Sequence, residues 1–150
     1  MKIRIFIAAV LSIVSSTVFA QTTDTIYGYE FTPVIELKAR PVEDQHRSGT
    51  CWSFSSTSFL ESEMLRKGKT EVNLSEMYIV WNTYAEKANK YVRMHGNTNF
   101  GPGGAFHDAT WVMKNFGMVP EEVYSGLTID EKLPVHGEMD EVLKAFVDAI

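Results

Sequence analysis

The amino-acid sequence predicts a mainly helical domain preceded by one short extended segment. Residues 29–37, YEFTPVIEL, combine β-branched and aromatic side chains with Pro33, which is typical of an extended or edge strand. From Cys51 onward the apolar residues recur at helical spacing, and helix start and stop signals accompany them. The chain is long enough to bury one core, and it contains no internal repeat and no low-complexity tract.

The first two predicted helices flank a short connection. The segment CWSFSSTSFLESEMLRKG begins at or just before Cys51, has apolar residues on more than one face and ends at Gly68, which predicts a largely buried helix. The second helix begins after Ser75, because serine commonly caps helix N-termini. One stripe of this helix, at spacings of 3 and 4, is predicted to face the core: Met77, Trp81, Tyr84, Ala88 and Tyr91.

Two further helices are predicted after the loop NTNFGPGG. The segment AFHDATWVMKNF stops at Gly117, and the segment GEMDEVLKAFVDAI is strongly amphipathic. Because the second of these reaches Ile150 without a stop signal, we expect the element to continue beyond that residue. The predicted core residues of the two helices are Phe106, Ala109, Met113 and Phe116, then Met139, Val142, Leu143, Phe146, Val147 and Ile150.

The first twenty residues have the composition of a secretory signal peptide. Two basic residues precede an apolar run, residues 5–14, and small residues follow up to Ala20. No stretch of the chain approaches the roughly 20 apolar residues that a membrane helix needs. We therefore expect cleavage near Ala20 and export of residues 21–150 to the periplasm or the extracellular space, with no membrane span.

Composition narrows the possible functions. The net charge is −5 at pH 7 and the basic residues are not clustered, so we expect no nucleic-acid partner. The single cysteine, Cys51, excludes an internal disulfide framework and leaves three alternatives: a buried small side chain, half of an intermolecular bridge, or a reactive thiol. No zinc-ligand spacing, P-loop or dinucleotide motif occurs, so neither a metal nor a cofactor is expected.

Cys51 lies at a predicted helix N-terminus, where unpaired N–H groups and the helix dipole favour a thiolate. The dipole contributes about 1 kcal/mol, which is too little to ionise most of a thiol at neutral pH. A nucleophilic cysteine therefore normally has a histidine partner, which is oriented in turn by Asn or Asp.

Four segments of the chain, in this order, resemble the N-terminal half of a papain-like cysteine peptidase. They are QHRSGTCWSFS, with its glutamine six residues before the cysteine, NLSEMYIV, GPGGAFHDA and FGMVPEEVYSG, and they cover roughly residues 45–126. The resemblance implies an α+β fold, of which this chain holds mainly the helical lobe and lacks the β-rich lobe. It also implies thiol-dependent hydrolysis of a peptide or protein substrate.

The resemblance assigns roles to six residues. Cys51 corresponds to the nucleophile, and Gln45 to the glutamine whose amide helps to form the oxyanion hole, where one donor is worth roughly 3 kcal/mol. Gly103 and Gly104 correspond to the glycine pair that binds the backbone of an extended substrate. Two supporting positions are Gly49, in the tight turn before the nucleophile, and Trp52, a packing tryptophan.

Two departures from the family pattern favour the bleomycin hydrolase and aminopeptidase C branch. Plant-type relatives carry a disulfide between positions that are Ser48 and Gly101 here, so the bridge is absent. Only 24 residues separate Ala20 from Gln45, which leaves no room for a long inhibitory pro-segment. We therefore expect an aminopeptidase-like specificity.

The base that activates Cys51 is expected beyond Ile150, since in the family the His and Asn follow the cysteine by roughly 130 to 150 residues.

For Glu61, inside the first helix, we expect a structural hydrogen bond. An alternative function is a non-catalytic helical-lobe module with a binding role. A redox role is disfavoured because no C-x-x-C pair occurs. The histidines are interpreted as loop or helix-surface residues: His46, His95, His107 and His136.

Overall fold

The structure, a computed structural model, describes residues 24–26, 28–129 and 132–150. The chain divides into two units, Met1–Glu36 and Leu37–Ile150. The predicted signal peptide lies outside the described residues. Within the described part of the chain, no helix combines the length and the apolar character that crossing a membrane requires.

The first unit contains a two-stranded antiparallel ribbon. Strand β1 (Asp24–Ile26) pairs with strand β2 (Tyr29–Phe31). The predicted extended segment, residues 29–37, is therefore a strand only as far as Phe31. Pro33 follows two residues later, and it has no N–H group to donate to a ladder.

The second unit contains all four predicted helices: α1 (Cys51–Arg66), α2 (Glu76–Arg93), α3 (Phe106–Phe116) and α4 (Gly137–Asp148). The expected boundary signals are in place. The Oγ atom of Ser75 accepts the N–H of Tyr78 at 3.0 Å and so caps α2. Gly117 ends α3 with a φ of 82°, a value that side chains with a Cβ rarely adopt.

Helix α2 is central to the core, because it packs against α1, α3 and α4. Ile79 and Val80 of α2 and Ala109 and Val112 of α3 are buried. The predicted stripe of α2 is confirmed at Met77, Tyr84 and Tyr91, which are also buried. The buried area of these side chains supplies most of the driving force for folding.

The stripe is wrong at Trp81, which is 59% exposed. Its ring lies 6.1 Å from the ring of Tyr124, which belongs to the segment after α3. Periodicity within α2 carries no information about that segment, so it cannot distinguish a core tryptophan from one that packs along the surface.

The predicted core faces of α3 and α4 are wrong at most positions. Helix α3 presents small Ala109 and Val112 to α1 and α2, which brings the backbones close together and leaves its larger apolar residues outside. Among the described helices, α4 contacts only α2, and it buries only Val147 fully. The predicted core residues that remain more than a third exposed are Phe106, Met113, Phe116, Met139, Val142, Phe146 and Ile150.

The interface between α1 and α2 is built from hydroxyl groups rather than from large apolar side chains. Ser53 Oγ donates to the Glu76 backbone carbonyl at 2.9 Å, and Thr57 Oγ1 donates to the Glu76 carboxylate at 2.8 Å. Both hydroxyl side chains are buried. Their hydrogen bonds fix the axial position of α1, and therefore of Cys51, against α2.

Glu61 has the structural role that was expected for it. Its carboxylate is buried, accepts the backbone N–H of Leu74 at 2.7 Å and lies 3.4 Å from the guanidinium of Arg40. Arg40 also pairs with Glu43 and Glu71, so one arginine joins three carboxylates at the end of α1. This network anchors the connection between α1 and α2.

Candidate active site

Cys51 is the first residue of α1, and its side chain is exposed. The residue before it, Thr50, has non-helical backbone angles and accepts the N–H of Ser53 through its carbonyl at 2.9 Å. The N–H of Cys51 has no acceptor among the described residues, as is common for the first N–H groups of a helix. The exposed thiol and an unpaired backbone donor therefore belong to the same residue at the helix start.

The turn before Cys51 is held by two buried hydroxyl groups. Ser48 donates to the Gln45 carbonyl through its N–H at 3.2 Å and through its Oγ at 2.8 Å. Ser48 Oγ also lies 2.5 Å from Thr50 Oγ1. These hydrogen bonds hold the turn at Ser48, the position for which the resemblance implies a missing half-cystine. Gly49 has a φ of 68°, so this position favours glycine.

The Gln45 side chain is partly buried. Its Oε1 atom is buried and has no hydrogen-bond partner among the described residues. Buried amide oxygens are normally paired, and exceptions concentrate at sites with a ligand or a catalytic role. The unpaired Oε1 atom is therefore consistent with the position of Gln45 in a functional site.

The loop of residues 100–104 packs directly against the cysteine turn. Trp52 is buried, and its Nε1 donates to the Pro102 carbonyl at 2.8 Å. A Cβ on Gly104 would lie 2.5 Å from Trp52 Cε2, and a Cβ on Gly49 would lie 3.0 Å from Pro102 Cβ. The structure thus brings Gly104 so close to Trp52 that a Cβ would clash, and it brings Gly49 to Pro102 at a distance that leaves little room for a Cβ.

The two glycines of the pair differ in their surroundings. A Cβ on Gly103 would meet nothing within 4 Å, so this position is open to the outside. The Gly103 carbonyl accepts a hydrogen bond from Lys87 Nζ. In contrast, neither the N–H nor the C=O of Gly104 has a hydrogen-bond partner among the described residues. One backbone edge next to the cysteine turn is therefore unpaired and exposes a donor and an acceptor.

Lys87 is a site residue that the sequence analysis missed. It lies on α2 between Tyr84 and Tyr91, at spacings of 3 and 4, which is the buried stripe of that helix. Ala88, the predicted stripe residue beside it, is partly buried and packs against the same core. The signal was a lysine at the spacing of the core stripe, because a lysine that is even partly buried there is expected to be paired.

No hydrogen bond joins any of the histidines to Cys51 within the described structure. His46 and His95 occupy turns with φ values of 47° and 52°. His107 is 80% exposed on α3, with its Nε2 3.2 Å from Asp108. Among the described residues, no three His, Cys, Asp or Glu side chains are placed to hold a metal ion.

His136 is the last residue of the connection before α4, as predicted for a loop histidine, and its side chain is partly buried. Its backbone N–H donates to the Arg47 carbonyl at 3.3 Å, beside a parallel bridge between Arg47 and Val135. Burial lowers the pKa of the imidazole, while the charge of Asp140 acts in the opposite direction. The contact attaches the start of α4 to the turn that carries Gln45.

Comparison of the sequence with known proteins identifies the family to which the chain is similar. Residues 34–135 match the family described as Papain family cysteine protease. The chain is 34% identical to cathepsin L2 of Homo sapiens over 91 residues, which are 61% of this chain and 25% of that protein. It is 34% identical to procathepsin L of Felis catus over 100 residues, 67% of this chain and 25% of that protein. It is 33% identical to cathepsin L1 of Drosophila melanogaster over 90 residues, 60% of this chain and 22% of that protein.

The chain spans about a quarter of the length of these curated relatives. They are cathepsin L-type proteins, so the bleomycin hydrolase and aminopeptidase C branch stays a prediction. The family match includes every candidate site residue, from Gln45 to Gly104. It also confirms the predicted papain-like fold, of which the described residues form the helical part. The chain therefore belongs to the papain family of cysteine proteases.

Proposed function

We propose that this chain supplies the nucleophile and the oxyanion hole of a thiol peptidase. The observation that carries the proposal is the exposed Cys51 thiol at the start of α1, beside an unpaired backbone edge at Gly104. An extended peptide can pair with that edge as an added strand does with a sheet. Its scissile carbonyl then approaches the helix N-terminus, where a developing negative charge is stabilised.

In this proposal the Cys51 thiolate attacks the carbonyl carbon and forms a C–S bond. The N–H of Cys51 and the amide N–H of Gln45 stabilise the resulting oxyanion, each donor contributing roughly 3 kcal/mol. When the tetrahedral intermediate collapses, the C–N bond breaks and the amine leaves with a proton. Water then hydrolyses the thioester and restores the thiol, so that one peptide and one water give two products.

We further propose that a histidine outside residues 1–150 accepts and returns the proton, and that an asparagine orients it. Two observations support this. No histidine of the described structure forms a hydrogen bond with Cys51, and His107, which follows the glycine pair, is 80% exposed beside Asp108. The aminopeptidase-like specificity belongs to the same proposal, and it rests on the absence of the disulfide at Ser48 and Gly101.

The test is alkylation and turnover in parallel. We expect residues 21–150 to react with iodoacetamide at Cys51, and Cys51→Ala to abolish the labelling. We expect the same protein to hydrolyse a fluorogenic aminoacyl or peptidyl substrate poorly, and the longer protein that contains this sequence to hydrolyse it well. Robust turnover by residues 21–150 would contradict the external histidine. A longer protein without activity would favour the non-catalytic binding module.

We also propose that the protein is exported, with cleavage of the signal peptide near Ala20. We expect the mature protein recovered from a secreting host to begin at Gln21. N-terminal sequencing or intact mass measures this directly, and Ala20→Arg, which places a large charged residue before the cleavage site, is the control that is expected to prevent processing. A recovered protein that still carries residues 1–20 would contradict the proposal.

A further inference from the structure

The ammonium group of Lys87 lies where α2 meets the loop of residues 100–104. Its Nζ donates to the Gly101 carbonyl at 3.0 Å and also to the Gly103 carbonyl. It lies 5.8 Å from the centre of the Trp52 ring and 5.7 Å from that of Tyr84, which are distances for cation–π attraction. One cation therefore contacts both the glycine loop and the tryptophan that follows Cys51.

Three consecutive carbonyls of the loop point at side-chain donors. Those of Gly101 and Gly103 accept from Lys87, and the one between them, on Pro102, accepts from Trp52 Nε1. This pattern fixes the orientation of the successive peptide planes. It leaves the N–H and C=O of Gly104 as the next groups along the chain, without partners among the described residues.

A lysine at this position loses solvation of its charge, so it destabilises the fold unless the ammonium has partners. Burial lowers the pKa of the Lys87 ammonium, and the charges of Asp108 and Asp140 act in the opposite direction. A partly buried ammonium is stabilised by partners of fixed geometry, and two carbonyls and two aromatic faces provide them. An apolar residue of the same length would fill the space without holding either carbonyl.

We propose that Lys87 is a positioning residue that orients the Gly103–Gly104 backbone for binding an extended peptide next to Cys51. Lys87 itself touches neither the thiol nor the reacting carbonyl in this proposal. The hydrogen bonds of Lys87 to the loop do not depend on the proposed function, whereas the consequence for peptide binding rests on it. Lys87 borders a cavity of about 430 Å³ between α2 and the glycine loop. Lys90, one turn further along α2, borders the same cavity but is exposed and makes no such contacts among the described residues.

The test compares Lys87→Met with Lys87→Arg and with the matched control Lys90→Met in the full-length protein. Two alkylation rates of Cys51 are measured: one with iodoacetamide and one with a dipeptidyl chloromethyl ketone, in which the thiolate displaces chloride. We expect Lys87→Met to lower the ratio of the peptidyl to the simple rate about tenfold, because a charged hydrogen bond is lost. We expect Lys90→Met to leave the ratio unchanged. We expect Lys87→Arg to keep most of the ratio of the unsubstituted protein.

A second measurement does not depend on the proposed function. Solvent exchange of the Trp52 indole N–H, followed by NMR, is expected to become at least about tenfold faster in Lys87→Met and to stay unchanged in Lys90→Met. An unchanged rate ratio in Lys87→Met overturns the positioning role. If the unsubstituted protein shows no preference for the peptidyl reagent, the proposed function fails, and the indole exchange alone decides whether Lys87 holds the loop. If Lys87→Met does not fold, Lys87→Gln replaces it with the same expectations.

Discussion

Gly104→Ala is expected to destabilise the fold by about 2–4 kcal/mol, whereas Gly103→Ala is expected to change the stability by less than about 0.5 kcal/mol. A Cβ on Gly104 would lie 2.5 Å from Trp52 Cε2 and 2.6 Å from Cδ2, well inside van der Waals contact. The Trp52 ring cannot yield freely, because it is buried and its Nε1 is bonded to the Pro102 carbonyl. A Cβ on Gly103 meets no atom within 4 Å.

Urea unfolding followed by tryptophan fluorescence measures both variants, and the adjacent glycine serves as the matched control. Trp52→Leu in the background of Gly104→Ala separates the steric cause from others, since a smaller side chain removes the clash. We expect the double variant to be less destabilised than the sum of the two single variants. A Gly104→Ala protein as stable as Gly103→Ala would mean that the ring and the loop separate without cost.

Gly103 and Gly104 are expected to respond differently when peptide reactivity, rather than stability, is measured. Gly103→Ala keeps the fold but places a methyl group on the open side of the loop, where we propose that the substrate passes. The variant is therefore expected to lose rate with the dipeptidyl chloromethyl ketone while it retains the rate with iodoacetamide. Stability and peptide reactivity then report on different members of one pair.

The helices and their boundaries could be predicted because their causes are local. Ser75 supplies a cap to a neighbour three residues away, and Gly117 supplies a backbone conformation at its own position. The predicted half of the site is equally local, since Gln45, Gly49 and Cys51 lie within seven residues. Short-range spacing therefore identified the turn, the thiol and the oxyanion candidate together.

The parts that could not be predicted depend on contacts between distant segments. Trp81 lies on the surface, where it packs beside Tyr124 of the segment after α3, and α3 uses Ala109 rather than Phe116 as its close contact. Lys87 reaches carbonyls that follow it by 14 and 16 residues. No periodicity within a helix specifies which face meets which partner, so faces were misassigned while the helices themselves were right.

Three carboxyl groups near the junction of α1 and α2 have raised pKa values. Burial is the main cause for Glu61, Glu76 and Glu121 alike. For Glu121, burial together with the charge of Glu76 raises the pKa to about 7. Its Oε2 atom is buried without a hydrogen-bond partner among the described residues, whereas Glu76 accepts from Thr57. Of the three carboxyl groups, Glu121 is therefore the one whose burial is least offset by hydrogen bonds.

The sign of the pH effect follows from these directions. Because the folded protein binds these protons more tightly than the unfolded chain, the three groups stabilise the fold most fully below about pH 4.5. This contribution is lost as the pH rises towards 7. The surface carboxylates Glu63 and Asp148 have lowered pKa values and titrate below this window. The lowered pKa of His136 acts in the opposite direction, since its contribution is lost as the pH falls below about 6.5.

Glu121→Gln is expected to reduce the loss of stability between pH 5 and pH 8 by about 1–2 kcal/mol, after allowance for solvent screening of a partly exposed group. The substitution removes the carboxylate that must ionise beside Glu76 and keeps a side chain of similar shape. Urea unfolding at pH 5, 6, 7 and 8 measures the effect, and Glu122→Gln, at the exposed neighbouring position, is the control that should keep the full slope. If Glu121→Gln also keeps it, the ionisation that destabilises the protein belongs to Glu61 or Glu76, whose carboxylates hold the start of α2 to α1.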